Sequence, residues 1–431
     1  MDYYFRVLAG LLLLVAILYA FSSNRRAIDW ALVGKGLLLQ FVLAVAILHL
    51  SWVSLAFDAV GKGFVALLSY TREGSLFLFG DLVGRVDTFG YLFAFQVLPT
   101  IIFFSAITSL LFHFGILQRV VGGFAWIMKR TLKLSGAETL AAAANVFVGQ
   151  TEAPLLVKPY IGTMTRSELM ALMVGGMATL AGAVLAAYIG YLGGTDPERQ
   201  VFFARHLLTA SVMNAPASLW IAKVLVPQTE PVVDVASVRI ERKGNWLEAI
   251  ANGTTDGFKM AANVGVMLLV FTAMIALFNG ILTNGLGTWT GLNDLVATWS
   301  SGRYTEFNLQ AIFGMLLGPF TWLLGVPWAE APLVGQLLGE KTVLNEFYAY
   351  VTMGKMMEGG ILVSERAQTL AVYVLCGFAN FASIGIQIGG IGGLAPERRS
   401  DLARFGLRAV LGGTLATMMT ATIAGVLNSI A

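Results

Sequence analysis

The chain has 431 residues, of which 57% are hydrophobic and 12% charged, with 28 lysines and arginines against 25 acids and a net charge of +3. A soluble domain carries about 25% charged residues, so this composition excludes an ordinary soluble enzyme or binding module and describes a polytopic membrane protein. The single cysteine, Cys376, rules out an intramolecular disulfide framework, and the basic residues fall in short clusters between apolar stretches, unlike the interleaved basic and aromatic surface of a nucleic-acid binder.

Apolar stretches near 4–22 and 30–53 each approach the roughly 20 residues that cross the hydrocarbon core. The first carries Asp2 and Arg6 and has no small-residue cleavage site, so it reads as a span and not as a removed signal peptide. The connection 54–90 mixes apolar residues with glycine and charge and reads as helices lying in the interface. A third span follows near 91–114. The stretch 135–163 is then interrupted by Gly149-Gln150-Thr151-Glu152 and Pro154. Lipid offers no hydrogen bonds, so a carboxylate, an amide and a hydroxyl at that depth are tolerated only where protein or a water-filled cavity surrounds them. The segment reads as a re-entrant hairpin of broken helices. Spans near 168–192 and 201–226 come next, followed by a polar linker at about 227–256 with Pro227 and Pro231. A span near 258–284 leads to a second re-entrant hairpin at 308–356, rich in breakers such as Gly314, Gly318, Pro319, Gly325 and Pro327. Spans near 369–391 and 405–429 complete the expected fold: all-α, with eight transmembrane helices and two re-entrant hairpins.

The sequence GGTDPERQ from Gly193 returns as GGLAPERR from Gly392, and the same offset of 199 residues aligns Ala204-Arg205 with Ala403-Arg404. Each copy joins two spans that follow a hairpin, which defines one repeat at 135–226 and a second within 308–431, separated by a linker and one helix at 227–307 and preceded by 1–134. The basic clusters Arg25-Arg26, Arg119 with Lys129, Arg130 and Lys133, Arg239 with Arg242 and Lys243, and Arg398 with Arg399 and Arg404 fall on one side if both termini lie outside. That side is the cytoplasm by the positive-inside rule, and the hairpins then open to opposite faces. Inverted repeats with discontinuous helices are the recurring design of secondary transporters, whose sites lie near the midplane where the repeats meet. The expected location is the cell's inner (plasma) membrane.

Polar residues gather where the chain is broken or small-residue-rich: Asn145, Gln150, Thr151 and Glu152; Thr179; Asn345 and Glu346; Asn380 and Ser383. Amides and carboxylates pair directionally with sugar hydroxyls and heterocycle edges, and Phe378 offers a ring face. No paired His or Cys ligands, phosphate loop or nucleophile-base arrangement stands out, so an enzyme is not expected and a neutral, hydroxyl-rich solute is. Blander roles compete at several positions. Glu152 pairs with Lys158 in one, Glu346 snorkels at an interface in another, Asn380 and Ser383 glue helices together, and Asn145 or Thr179 caps or back-bonds its own helix. Glu330 reads as a loop or helix-start residue, His206 as helix packing and Cys376 as a small buried apolar residue.

The run GQTEAPLLVKPYI at Gly149–Ile161, NEFYAY at Asn345–Tyr350 and GFANFASIGIQIGG at Gly377–Gly390 resemble the three signature regions of the concentrative nucleoside transporters, in its shorter bacterial form. The resemblance implies a homotrimer whose protomers each combine scaffold helices with a mobile transport domain holding both hairpins. It implies inward carriage of nucleosides such as uridine, driven by a cation gradient, with no cofactor besides the coupling ion. It places Gln150, Thr151 and Glu152 on the nucleobase with Val184 alongside, Glu346, Asn380 and Ser383 on the ribose, and Phe378 in the pocket wall. Sodium maps to the side chains of Asn145 and Thr179 with the carbonyls of Val148 and Leu180; threonine stands where the family leads us to expect serine. A hard cation suits such oxygens. Proton coupling through Glu152 or Glu346, or transport of another small polar solute, remains the alternative.

Overall fold

The computed structural model describes residues 3–232 and 245–427. Asp2 and the basic cluster Arg239, Arg242 and Lys243 lie outside the described residues. The described secondary structure is helical throughout, and its helix starts are written into the sequence as caps. Helices α1 (Tyr3–Phe21), α2 (Trp30–His49) and α3 (Ser51–Phe79) are followed by α4 (Leu98–His113) and α5 (Ile116–Leu132). Next, α6 (Gly136–Asn145) begins at a reciprocal capping box between Ser135 and Glu138, and α7 (Arg166–Ala178) begins at another between Thr165 and Glu168. Helices α8 (Gly182–Gly193), α9 (Pro197–Leu225) and α10 (Trp246–Gly280) lead to α11 (Leu309–Leu323), α12 (Ala331–Val343) and α13 (Glu346–Glu358), the last capped by Asn345. The chain ends in α14 (Glu365–Leu375), α15 (Phe381–Leu394) and α16 (Arg399–Leu427).

The 199-residue offset seen in the sequence recurs in the helices. Thr165 caps α7 and Ser364 caps α14; α8 starts at Gly182 and α15 at Phe381; Pro197 opens α9 and Pro396 opens the turn into α16. Under the same offset the unit at 135–163 corresponds to α12 and α13, joined at Leu344-Asn345. The glycines and prolines at 314–327 therefore do not form the second tip. They lie in and just after α11, a separate helix that packs along α12 and holds the place in the second unit that α5 holds in the first.

Two stretches expected to be continuous spans are broken. The stretch 168–192 divides into α7 and α8 at Thr179–Ala181, and 369–391 divides into α14 and α15 at Cys376–Asn380. No proline marks either site, so the signal for a break is weak; extended backbone at Thr179 and a left-handed Gly377 produce them. The segment read as interfacial, 54–90, also differs. Most of it belongs to the 29-residue α3, apolar and long enough to cross a membrane, followed by short helical turns.

Seven helices among the described residues are long and apolar enough to span a bilayer. They form an inner and an outer group. The apolar window of Arg166–Gly193 is 94% buried and that of α16 is 83% buried, whereas that of α10 is 6% buried. Helices α7, α9, α14 and α16 pack on one another around the breaks, while α3 and α10 present Trp52, Phe77, Phe258 and Leu269 outward. Apolar side chains on an outer helix face match hydrocarbon.

Candidate functional site at the paired helix breaks

The two breaks lie against each other. Gly377 has φ +130°, and a Cβ built there would stand 2.7 Å from the backbone of Ala178 and Met177, so only glycine lets the chains approach this closely. Asn214 on α9 donates to the Ala178 carbonyl at 2.7 Å and to the Cys376 carbonyl at 3.2 Å. One buried amide thus serves a carbonyl freed by each break, as backbone away from water requires. The turn at Gly149, after α6, closes on the same place. Gly149, at φ +93°, leaves no room for a Cβ beside Ala181, and the Gly182 amide donates to the Phe147 carbonyl at 2.8 Å.

A chain of side-chain hydrogen bonds runs across these elements. Gln150 Nε2 at this turn donates to Ser383 Oγ at 3.1 Å, and Gln387 Nε2, one turn further along α15, donates to Gln150 Oε1 at 3.1 Å. Asn380 caps α15 by accepting from the Ser383 amide at 2.8 Å and turns its Nδ2 to Glu346 Oε2 at 3.0 Å. Tyr188 of α8 donates its hydroxyl to the other carboxylate oxygen, Oε1, at 3.0 Å. Gln150, Glu346, Asn380, Ser383 and Gln387 are all buried, which excludes the snorkelling role for Glu346. Four residues expected at the site are therefore joined into one network of directional donors and acceptors.

Sequence reasoning missed Tyr188, Gln387 and Asn214. Gln387 carried a legible signal: an amide four residues after Ser383 in an apolar helix shares its face. Tyr188 likewise stands one turn after Val184, while nothing in the sequence pairs Asn214 with the breaks.

The remaining expected residues lie around this network. Val184 is buried and Phe378 half-buried against the core, whereas Thr151 is exposed. Glu152 faces the other side of the turn, into a cavity of about 770 Å³ between this segment and helices α4 and α10, which Lys158 and Asp256 also line. No ion pair joins Glu152 to Lys158 among the described residues. Asn145 is fully buried with neither Oδ1 nor Nδ2 hydrogen-bonded among the described residues, so it does not cap its helix. It lies beside Gly175, to whose carbonyl Thr179 Oγ1 donates at 2.9 Å, the local back-bond open to a threonine. The carbonyls of Val148 and Leu180 accept no hydrogen bond among the described residues.

Other singled-out residues take structural roles. Glu330 accepts from the amides of Val363 and Ser364 at 2.7 and 2.9 Å, pinning two turns together. His206 Nδ1 meets the Tyr373 hydroxyl at 3.3 Å, and Cys376 is buried. Two buried cations escaped sequence reading. Lys223 pairs with Glu138 at 2.8 Å, and Lys341 donates to the Val374 carbonyl at 2.9 Å and to Thr417 Oγ1 at 3.3 Å.

Acids and amides gathered at apposed helix breaks inside an apolar bundle define a class: a multi-pass membrane transporter. Family profiles agree. Residues 9–82 and 206–425 match the N-terminal and C-terminal parts of the Na+ dependent nucleoside transporters, and residues 94–195 match a profile described as nucleoside recognition. A Haemophilus influenzae protein named only "Uncharacterized transporter" is 43% identical over 421 residues, 96% of each chain. Rat sodium/nucleoside cotransporter 1 is 38% identical over 439 residues, and human solute carrier family 28 member 3 is 38% identical over 436. The chain spans about three fifths of the length of these animal relatives, 63% and 59%. A structure of CNTnw in an inward-facing substrate-bound state superposes with a TM-score of 0.90 at 38% identity, covering 100% of this chain and 99% of that one. Variants of CNTnw in outward-facing and intermediate states superpose at 0.88. The chain belongs to the concentrative nucleoside transporter family.

Proposed function

We propose that this protein imports nucleosides such as uridine by sodium-coupled alternating access, with the substrate held at the paired breaks. The network from Gln150 through Ser383 and Asn380 to Glu346 carries this reading, because it offers a compact set of amide, hydroxyl and carboxylate groups that a ribose and a nucleobase match. In this mechanism Glu346 accepts from the ribose hydroxyls, oriented by Tyr188, while Asn380 and Ser383 complete the sugar contacts. Gln150, Thr151 and Glu152 address the base edge, and Val184 and Phe378 bound it with apolar surface. Glu152 opens onto the cavity beside α4 and α10, a route by which the base enters or leaves.

The coupling ion fits Asn145, Thr179 and the carbonyls of Val148 and Leu180. Asn145 Oδ1 and both carbonyls are free of hydrogen bonds among the described residues, and a buried amide oxygen left without a donor suits a hard cation. Asn145 precedes the tip that bears Gln150, so ion and nucleoside order the same loop and each favours binding of the other. The two repeats run in opposite directions with re-entrant hairpins, eight helices cross the bilayer, and both termini lie outside the inner membrane. The protein works as a homotrimer in which a transport domain moves against a scaffold, and the likeness to CNTnw in inward- and outward-facing states supports alternation.

The test is uptake of labelled uridine into proteoliposomes. Accumulation driven by an inward sodium gradient is expected. Accumulation driven only by a proton gradient would replace sodium in this mechanism, and none under either gradient would overturn the nucleoside reading.

A further inference from the structure

Outside the polar network, one buried ammonium has no acid beside it. Lys341 of α12 is 0% exposed. Its Nζ donates to the Val374 carbonyl at 2.9 Å and to Thr417 Oγ1 at 3.3 Å, and no ion pair joins it to an acid among the described residues. Val374 stands in the last turn of α14, beside the break. Three donors serve the carbonyls freed there: the Tyr350 hydroxyl reaches Val372 at 3.1 Å, Asn214 reaches Cys376 at 3.2 Å, and Lys341 takes Val374. Only the last brings a charge, and a cation is the favoured group at a helix C-terminus. The hydrogen-bond partners of Glu346, Tyr188 and Asn380, are neutral in turn. Lys341 lies within electrostatic reach of that carboxylate, whereas Glu340, next to it in sequence, is engaged by Gln336.

The repeat gives this cluster a counterpart. Lys341, Val374 and Thr417 stand 199 residues after Ala142, Gly175 and Ser218 respectively. Those three also meet: a Cβ built at Gly175 would stand 3.8 Å from Ala142 Cα and 3.6 Å from Ser218 Oγ, with Asn145 Nδ2 at 3.3 Å. The first repeat therefore has small, uncharged side chains where the second has a buried ammonium, and its version of the place adjoins Asn145. A buried charge is retained only where other groups answer it. We propose that Lys341 is a positioning residue, the resident cation of the second repeat: its ammonium holds the end of α14 and keeps Glu346 ionised as an acceptor for the sugar, while the first repeat takes its positive charge from an exchangeable ion beside Asn145. Without the ammonium, Glu346 takes up a proton and becomes a weaker acceptor. The sugar contact rests on the nucleoside reading; the charge balance does not.

A stability cycle without nucleoside tests the charge balance. Melting temperatures of purified wild type, Lys341→Met, Glu346→Gln and the double variant are compared in detergent with sodium present; should Lys341→Met not fold, Lys341→Gln, which keeps a donor, replaces it. The double variant is expected to melt above Lys341→Met alone, because it no longer buries an acid without its cation. Losses that simply add overturn the proposal and leave Lys341 a hydrogen-bond donor to Val374. Ligand binding to the purified protein reads the positioning. Lys341→Met is expected to lose about tenfold in uridine affinity, the difference between a charged and a neutral acceptor. Dideoxyuridine, which lacks the ring hydroxyls, should bind it within about twofold of wild type. Unchanged uridine affinity, or equal losses for the two ligands, overturns the positioning role. Failure of wild type to bind uridine removes the nucleoside reading, and the stability cycle still decides the charge balance.

Discussion

Asn380 joins two functions in one side chain, and substitutions separate them. Its Oδ1 caps α15 through the Ser383 amide at 2.8 Å, and its Nδ2 supplies one of the two hydrogen bonds to buried Glu346, at 3.0 Å. Loss of an N-cap costs about 0.5–2 kcal/mol. Leaving a buried polar group without its donor costs about 1–3 kcal/mol, more where the group is charged. Asn380→Ala loses both, about 1.5–5 kcal/mol of stability together, and uridine uptake is expected to drop roughly 5- to 150-fold from the lost Glu346 contact, at about 1.4 kcal/mol per tenfold. Asn380→Ser keeps a capping oxygen but is too short to reach Glu346. Its melting temperature should fall less than that of the alanine variant, by the share of the cap that it keeps, while uptake falls roughly 5- to 150-fold. Uptake measured in proteoliposomes beside a thermal-stability assay in detergent reads the two effects separately. If the serine variant takes up uridine within about twofold of wild type, the Asn380–Glu346 bond is not part of the site and the reasoning fails.

Three further outcomes are expected. Asn145→Ala removes the orphaned buried amide, so the sodium dependence of uridine binding should flatten while uridine still binds at saturating substrate; an unchanged sodium titration would relocate the ion. Gly377→Ala places a Cβ 2.7 Å from the Ala178 backbone at a φ of +130°, and its destabilisation should be about 2–4 kcal/mol, seen as a lowered melting temperature. Wild-type stability there would mean that the breaks do not touch. Lys223→Met strands Glu138, 1% exposed and 2.8 Å away, and should cost about 3–5 kcal/mol, most of it recovered in the double variant Lys223→Met with Glu138→Gln; equal losses in single and double variants would show that the pair's charge balance is not what matters.

Much of the architecture was legible in the chain. Hydropathy located six of the seven long apolar helices among the described residues, because a stretch facing lipid must be apolar over a fixed length, and it missed α3. The duplicated GGxxPER pattern gave the repeat, and the helix starts at Thr165, Ser364, Pro197 and Pro396 reproduce its offset. Gln150, Glu346, Asn380 and Ser383 were recognisable as candidate site residues because an amide or acid in an apolar run has few bland explanations. Lys223, Glu138, Lys341 and Glu340 meet the same criterion, yet which of them finds a counter-charge depends on contacts that one-dimensional spacing does not encode.

The sequence by itself determined the class of protein, the repeat and most of the polar residues that meet at the breaks, since desolvation acts on each residue according to its own chemistry. Tertiary structure alone decided where continuous-looking spans break, at Thr179–Ala181 and Cys376–Asn380, and which groups then meet. Those breaks hold because a distant helix brings Asn214 to the freed carbonyls and because Gly377 lets two backbones touch. Hydrogen bonds between residues 233 and 237 positions apart, as Gln150 makes with Ser383 and Gln387, exist only once the helices are packed.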